Sequence, residues 1–148
     1  IAKETAILPG LDGRKMSKSY NNSIPMFLNR DHIRKLIMKI KTNSLGPDEP
    51  KSTKDCALFD IYQAIAKPEE SILYKEKLEK GMAWSDAKEE LIVYIEDLFS
   101  EPREEYSKLI EDQTYLSSLL SEGADKARDF SSPYLQKIKT AVGLGDLI

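Results

Sequence analysis

The sequence predicts an all-α protein, a helical bundle that follows an irregular loop near the start of the chain. Its 148 residues are enough for one domain with a buried core. Apolar residues make up 41% of the chain and charged residues 32%, a balance that fits a charge-rich helical protein. From residue 33 onward the apolar residues recur at intervals of three and four, which is the period of an amphipathic helix.

The loop before the helices, residues 10–22, is called the basic loop below. Two glycines bracket an aspartate in its first half, so its backbone can turn tightly. Arg14, Lys15 and Lys18 then place three cations within five residues. No apolar period runs through this stretch, which predicts an exposed, mobile loop. Residues 6–8, just before it, would suit the end of a buried strand.

The first helix is predicted to begin after Asp31, a candidate N-cap, and to run for about three turns. Its apolar face carries residues spaced at i, i+3, i+4 and i+7, namely Ile33, Leu36, Ile37 and Ile40. Its other face is basic and carries Arg34, Lys35, Lys39 and Lys41. That face either is simply solvated or contacts RNA.

Residues 42–55 form a polar loop, and a second helix with a wide apolar face is predicted from Cys56. Pro68 and the two acids after it predict the first turn of a third helix. That helix should stop at Gly81, a candidate C′ residue.

A fourth helix is predicted with Ser85 as its N-cap, and Pro102 lies within its apolar pattern. We expect a kink there or a restart with Ser100 as the cap. From Thr114 onward a nearly continuous helical stripe runs to Val142, and we expect its aromatic and leucine side chains to form core.

Charge and composition limit the partners and the chemistry. Residues 1–54 hold 11 Lys/Arg against 5 Asp/Glu, whereas the remainder is strongly acidic, so any RNA contact in the second part must be local. No apolar run is long enough to span a bilayer. A single cysteine, Cys56, fits a reducing cytoplasm. One histidine and one cysteine argue against a protein-built metal site.

The basic loop carries the most specific motif of the chain. Residues 15–19 spell KMSKS, and the motif is flanked by LPGLDGR before it and by YNNSI after it. This stretch resembles the tryptophanyl-tRNA synthetases, a family of class I aminoacyl-tRNA synthetases. Residues 79–88 are similar to the family in general pattern only, because Ala83 and Trp84 stand where many members have glycine and another aromatic residue. The resemblance covers nearly the whole chain and is strongest over residues 8–24.

The resemblance implies a carboxyl-terminal portion of such an enzyme. Residues 1–24 would end a Rossmann-type catalytic domain, and residues 25–148 would form a helical domain like the one that recognises the anticodon. The full enzyme would be a cytoplasmic homodimer that uses ATP, with Mg²⁺ on its phosphates, to join tryptophan to tRNA(Trp). This portion alone is expected to be inactive, since the amino acid pocket lies elsewhere.

The resemblance also assigns roles within the basic loop. Lys15 and Lys18 would stabilise charge on the leaving pyrophosphate. The residues expected to bind ATP are Gly13, Lys15, Met16, Ser17, Lys18 and Ser19, with Asp12 and Arg14 in support. The expected tRNA contacts are Arg34, Lys35, Lys39 and Lys41. No residue is expected to ligate a metal ion directly.

Two alternatives stay open at this point. The tyrosyl-tRNA synthetases are the near relatives, but their carboxyl-terminal region should not match residues 80–144. A stand-alone helical module that binds RNA or protein through its basic first part is the alternative without catalysis.

Overall fold

A computed structural model of the chain describes residues 7–145. Within them lie five α-helices and one 3₁₀ turn, Lys18–Tyr20. The helices are α1 (Arg30–Met38), α2 (Ala57–Ile65), α3 (Pro68–Glu79), α4 (Trp84–Glu111) and α5 (Gln113–Ala141). This confirms the predicted all-α class. No helix in the described part of the chain is long and apolar enough to cross a membrane.

The chain divides into two compact units, Ile1–Arg103 and Glu104–Ile148, and the division falls inside α4. The first unit has a buried apolar core to which α1, α2, α3 and the first part of α4 all contribute. Its fully covered members include Ile33, Ile37, Leu58, Tyr74, Leu78, Ala87, Leu91 and Ile92. Leu11 and Met16 of the basic loop also pack against this core.

Helix α1 is capped two residues earlier than the sequence predicted. The side chain of Asn29, not that of Asp31, accepts a hydrogen bond from the His32 backbone N–H at 3.0 Å. Asp31 lies in the first turn, where its charge favours the positive end of the helix. Both residues are good caps, and only the backbone geometry selects Asn29.

Helices α2 and α3 follow the prediction closely. Cys56 is the N-cap of α2, and Pro68 is the first residue of α3. Gly81 follows the C-cap of α3 with a φ of +97°, a left-handed conformation that favours glycine. A Cβ atom there would lie 2.6 Å from the backbone of Asp48, so the close approach of residues 42–55 also requires glycine.

A buried lysine orders the polar loop of residues 42–55, which the sequence did not predict. Lys51 is 1% exposed, and its Nζ donates to the carbonyl oxygens of Gly46 and Glu49 at 2.9 Å each. Its ammonium also lies 5.5 Å from the centre of the Trp84 ring. Carbonyl oxygens and an aromatic face therefore satisfy this cation within the protein.

One prediction about α4 is wrong, and one of the two alternatives predicted at Pro102 is excluded. The helix begins at Trp84, so Ser85 lies inside its first turn, and the Ser85 hydroxyl contacts the Asp86 carboxylate instead of capping the helix. The helix also continues through Pro102 to Glu111, which excludes a restart at Ser100, while the alternative of a kink at Pro102 stays a prediction. A proline removes one helical N–H, and helix-forming residues on both sides can continue the helix past that single lost bond.

The second unit contains the end of α4 and all of α5. Asp112 caps α5 by accepting from the Tyr115 N–H at 2.8 Å. Gly123 and Pro133, which were expected to interrupt the stripe at modest cost or with a kink, lie within the helix and do not end it. The prediction that its stripe forms core is wrong, because none of residues 104–145 is buried. Leu120 and Phe130 are 73% and 75% exposed. The period of a helix sets the direction of its apolar face but does not supply a surface that covers it.

The strand end predicted at residues 6–8 is not seen. Ala6 lies outside the described residues, while Ile7 and Leu8 belong to no strand and Ile7 is exposed. The boundary predicted at residue 24 stays a prediction.

Candidate functional site

The basic loop is closed by backbone hydrogen bonds along its length. Gly10 N–H donates to the Arg14 carbonyl at 2.6 Å, and Met16 N–H donates to the Leu8 carbonyl at 2.8 Å. Pro9 and Lys15 form an isolated antiparallel bridge. The loop is also joined to the segment that follows α1, because the Lys41 N–H donates to the Leu11 carbonyl at 3.0 Å. Residues 8–16 thus form a narrow turn held against the first unit.

One buried amide holds the inner side of this loop. Asn22 is 3% exposed, and its Oδ1 accepts from the Ser17 N–H at 2.8 Å. Its Nδ2 donates to Asp12 Oδ1 at 2.7 Å and to the Lys15 carbonyl at 3.2 Å. The side chain therefore uses its donor and its acceptor on three separate points of the loop.

Glycine at position 10 makes room for that amide. A Cβ atom on Gly10 would lie 2.4 Å from Cγ and Nδ2 of Asn22, a distance that side chains do not tolerate. Gly13, at the tip, has a φ of +81° and is exposed. Of the two glycines, the tip residue supplies the positive φ and Gly10 the close approach.

Asp12 and Arg14 form a second support on the outer side. Arg14 Nε donates to Asp12 Oδ2 at 2.7 Å, and its guanidinium carbon lies 4.7 Å from the centre of the Tyr20 ring. The hydrogen bond from Asn22 and then those from Arg14 lower the pKa of Asp12 to about 2, against the opposing effect of desolvation. Asp12 is therefore an anion at neutral pH, and it joins the inner amide to the outer cation.

The residues predicted to hold ATP lie together on this turn. Lys15 and Lys18 are exposed, and neither ammonium group has an ion pair or hydrogen bond with the described residues. Ser17 caps the 3₁₀ turn, its Oγ accepting from the Ser19 N–H at 3.3 Å and lying 2.8 Å from the Ser19 hydroxyl. Met16 faces inward against the core. Two cations and two hydroxyl groups are thus presented to solvent by a braced backbone.

The four cations predicted to contact tRNA lie at two different depressions. Arg34, Lys35 and Lys39 line one shallow depression on α1 that also includes Asp31. Arg34 forms an ion pair with Glu89 of α4, whereas Lys35 and Lys39 are exposed. Lys41 lies at a different depression, with Lys54 and Trp84. Only Lys35 and Lys39 therefore form a local pair without a carboxylate ion-pair partner among the described residues.

Sequence reasoning missed the role of Asn22. The residue was visible at the end of the motif, but an asparagine after a loop normally indicates only a turn. Its burial and its three contacts depend on the tertiary structure. No group of three His, Cys, Asp or Glu side chains within residues 7–145 could hold a metal ion.

The sequence matches a known protein family. Residues 2–100 match the family described as tRNA synthetases class I (W and Y). The matched range contains the basic loop and nearly all of the first unit.

Curated proteins similar to this chain are tryptophan–tRNA ligases. The ligase of Pseudomonas syringae pv. tomato is 41% identical over 144 residues, which is 97% of this chain and 32% of the relative. The ligase of Bordetella parapertussis is 43% identical over 148 residues, covering 99% of this chain and 33% of the relative. The chain therefore spans about a third of the length of the curated relatives it matches.

Solved structures give the same result. The crystal structure of tryptophanyl-tRNA synthetase from Campylobacter jejuni complexed with ADP and tryptophan superposes with a TM-score of 0.88 at 33% identity. The match covers 97% of this chain and 45% of that chain. A second structure of the Campylobacter jejuni enzyme matches with a TM-score of 0.84 and 34% identity.

Proposed function

Because the chain belongs to the class I tRNA synthetases of the tryptophan and tyrosine group, we propose that it acts as the carboxyl-terminal part of a tryptophan–tRNA ligase. The complete enzyme, a cytoplasmic homodimer, would activate tryptophan with ATP and transfer it to tRNA(Trp). The observation that carries this proposal is the KMSKS motif on a braced turn that presents Lys15 and Lys18 to solvent. The tyrosine alternative is disfavoured because the curated relatives are tryptophan ligases over almost all of this chain.

The activation step requires stabilisation of negative charge. A carboxylate oxygen of tryptophan attacks the α-phosphorus of ATP, and the bond from that phosphorus to the bridging oxygen breaks. The aminoacyl adenylate and pyrophosphate result, and the electron pair of the broken bond stays on pyrophosphate. Mg²⁺ carried on the phosphates of ATP would share this charge. Positioned cations are the usual protein contribution to such a step.

Lys15 and Lys18 are suited to that contribution. Neither ammonium group forms an ion pair with a carboxylate of the described residues. No ion pair of that kind therefore has to break before these lysines bind a phosphate. Lys18 follows directly after the cap residue Ser17, so the 3₁₀ turn fixes its backbone. The hydroxyl groups of Ser17 and Ser19 and the backbone near Gly13 and Met16 would contact the nucleotide from the same side.

The test is tryptophan-dependent ATP–pyrophosphate exchange by the complete enzyme. Lys18→Ala should lower kcat by about 10²–10³, the scale expected when one positioned charge-stabilising donor is removed. The KM for tryptophan should barely change, because its pocket is built by residues outside this chain. Lys18→Arg should recover only part of the rate, since a planar guanidinium does not replace a compact ammonium.

A matched control is Lys126→Ala, which removes an exposed lysine of α5 and its ion pair with Glu122. It should leave the exchange rate unchanged. Near-normal exchange by Lys18→Ala, with normal folding, would contradict the proposed role of Lys18. Exchange by the 148-residue chain alone would contradict the proposal that the amino acid pocket lies elsewhere.

We also propose that the basic face of α1 contacts the tRNA, with the helical part of the chain directed to the anticodon. Charge reversal of Arg34, Lys35, Lys39 and Lys41 together should weaken tRNA binding in a salt-sensitive manner and leave adenylate formation near normal. Reversal of Lys35 and Lys39 alone should account for most of the loss, because Arg34 is already paired with Glu89. A loss of adenylate formation instead would assign α1 to catalysis. This surface is also what a stand-alone RNA-binding module would use, and such a module would bind tRNA as an isolated chain.

A further inference from the structure

We infer that Asn22 is a positioning residue that holds the two lysines of the basic loop in place for the charge-stabilising step. The inference rests on the proposed function and adds a residue to which the motif gives no role. Asn22 follows the KMSKS residues and lies on the protein side of the turn, whereas Lys15 and Lys18 lie on its solvent side.

The geometry places the amide at both ends of a short backbone segment. Asn22 Nδ2 contacts the carbonyl of Lys15, and Asn22 Oδ1 contacts the N–H of Ser17. The backbone on both sides of Met16 is thereby fixed to one side chain that is 3% exposed. Lys18 begins the turn that Ser17 caps, so its starting position depends on the same contact.

The third contact joins this segment to the first half of the loop. Asn22 Nδ2 lies 2.7 Å from Asp12 Oδ1, and Asp12 pairs in turn with Arg14. One donor group thus connects the segment that bears the lysines to the segment that precedes them. Asn22 makes these connections through the backbone of Lys15 and Ser17 and is itself 3% exposed, which is why we assign it to positioning and not to catalysis.

Neighbouring residues fix the position of the Asn22 side chain. The backbone carbonyl of Asn22 accepts from the Leu11 N–H at 3.0 Å, which fixes the residue from which the side chain projects. Gly10 lies so close that a Cβ there would be 2.4 Å from Cγ and Nδ2 of Asn22 and 2.6 Å from its backbone oxygen. Gly10→Ala therefore disturbs the position of Asn22, amide and carbonyl together, without changing the residue itself.

The choice of substitutions separates donor from acceptor. Asn22→Asp keeps the volume and the oxygen that accepts from Ser17, but it removes the donor and places a second carboxylate beside Asp12. Asn22→Ala removes both functions. In the double variant Asp12→Asn/Asn22→Asp the amide donor sits at position 12 and the carboxylate at position 22, so their mutual hydrogen bond can form again.

The experiment measures tryptophan-dependent ATP–pyrophosphate exchange by the complete enzyme. Asn22→Ala and Asn22→Asp should lower kcat by about 10²-fold, the scale expected when catalytic groups are misplaced by about 1 Å. The KM for tryptophan should not change. Gly10→Ala should also lower kcat. The double variant Asp12→Asn/Asn22→Asp should recover part of the kcat lost by Asn22→Asp. Asn21→Gly is the matched control, since Asn21 is exposed with a φ of +50° that glycine adopts readily, and it should be near normal.

A second readout does not depend on activity. In the 148-residue chain, NMR titration of the Asp12 carboxyl should show its pKa rise from about 2 toward the ordinary range in Asn22→Ala, because the Asn22 hydrogen bond is the largest cause of the shift. Lys18→Ala should leave that pKa where it is. The Asp12 pKa therefore distinguishes a variant that has lost the hydrogen bonds of the Asn22 amide from one that has lost only a lysine.

The outcomes distinguish this inference from the proposed function. If the wild-type enzyme showed no exchange, both would be overturned. If Lys18→Ala lost exchange while Asn22→Asp and Gly10→Ala kept it, only the role of Asn22 would be overturned. An Asp12 pKa that did not change in Asn22→Ala would contradict the hydrogen bond from Asn22 to Asp12 on which the inference rests.

Discussion

The two units of this chain use the same helical pattern with opposite results. In the first unit, helices α1 to α4 turn their apolar faces toward one another, and residues such as Leu91 and Tyr74 are fully covered. In the second unit, α5 carries an equally regular apolar stripe, yet none of residues 104–145 is buried. The comparison teaches that periodicity predicts a helix well, whereas burial depends on whether other elements cover it.

The difference also bears on where a catalytic turn can be built. The basic loop lies in the first unit, and its Leu11 and Met16 side chains pack on the core. A turn anchored in this way can present lysines at fixed positions. An exposed helix face has no comparable support in its own unit, so the proposed chemistry belongs to the first unit.

The largest expected difference between the units is in the response to cavity formation. Leu91→Ala should lower the free energy of unfolding by about 2–5 kcal/mol, because it removes a fully buried side chain. Leu120→Ala, at a side chain that is 73% exposed, should change it by less than about 0.5 kcal/mol. Denaturant unfolding followed by helical circular dichroism reports on both units, and the fluorescence of Trp84, the chain's one tryptophan, reports on the first unit separately. Equal effects of the two variants would refute the comparison.

A smaller difference is expected for tyrosine hydroxyl groups. The Tyr74 hydroxyl donates to the Ala87 carbonyl at 2.7 Å in the core. Tyr74→Phe should cost about 1–3 kcal/mol of unfolding free energy, since it leaves a buried carbonyl without that partner. The matched variant Tyr134→Phe, at an exposed residue of α5, should be nearly neutral. The same denaturation measurement compares the pair.

The first unit should also lose stability at alkaline pH. Burial raises the pKa of Tyr62 to about 12 and raises that of Tyr74 as well. Both groups bind their protons more tightly in the folded state, so their contribution is fully present below pH 10, where an unfolded tyrosine begins to ionise. It decreases as the pH rises from about 10 toward 12. Unfolding free energies measured across that range should fall, and Tyr62→Phe should reduce the slope; an unchanged slope would show that other groups are responsible.

The smallest effect is expected from removal of the second unit. A chain ending at Arg103 keeps every buried residue of the core, so its melting temperature should lie within a few degrees of that of the whole chain. Helical circular dichroism should fall in proportion to the lost length of α4 and α5. A collapse of the melting temperature would mean that residues 104–148 support the core after all.

Local sequence signals sufficed where one residue or its neighbours decide the conformation. Pro68 at the first turn of α3 and Gly81 after its end were predicted correctly, because proline and glycine restrict or extend the backbone by themselves. Helix caps were less secure. Asn29 and Asp31 are equally suitable by residue type, and the entry path of the chain chose between them.

For the candidate site, the sequence alone determined which groups are available, namely the glycines, cations and hydroxyl groups of residues 10–22. Only the tertiary structure decided how they are held. The burial of Asn22, the room left by Gly10 and the capture of Lys51 by carbonyl oxygens all depend on segments meeting in space. The same holds for α5: its apolar stripe could be predicted from the sequence, but the exposure of that stripe could not. Propensity and period act along a single helix or turn, whereas the way a loop closes on itself and the residues that cover it are decided only in the folded chain, as where the Trp84 ring lies beside the ammonium of Lys51.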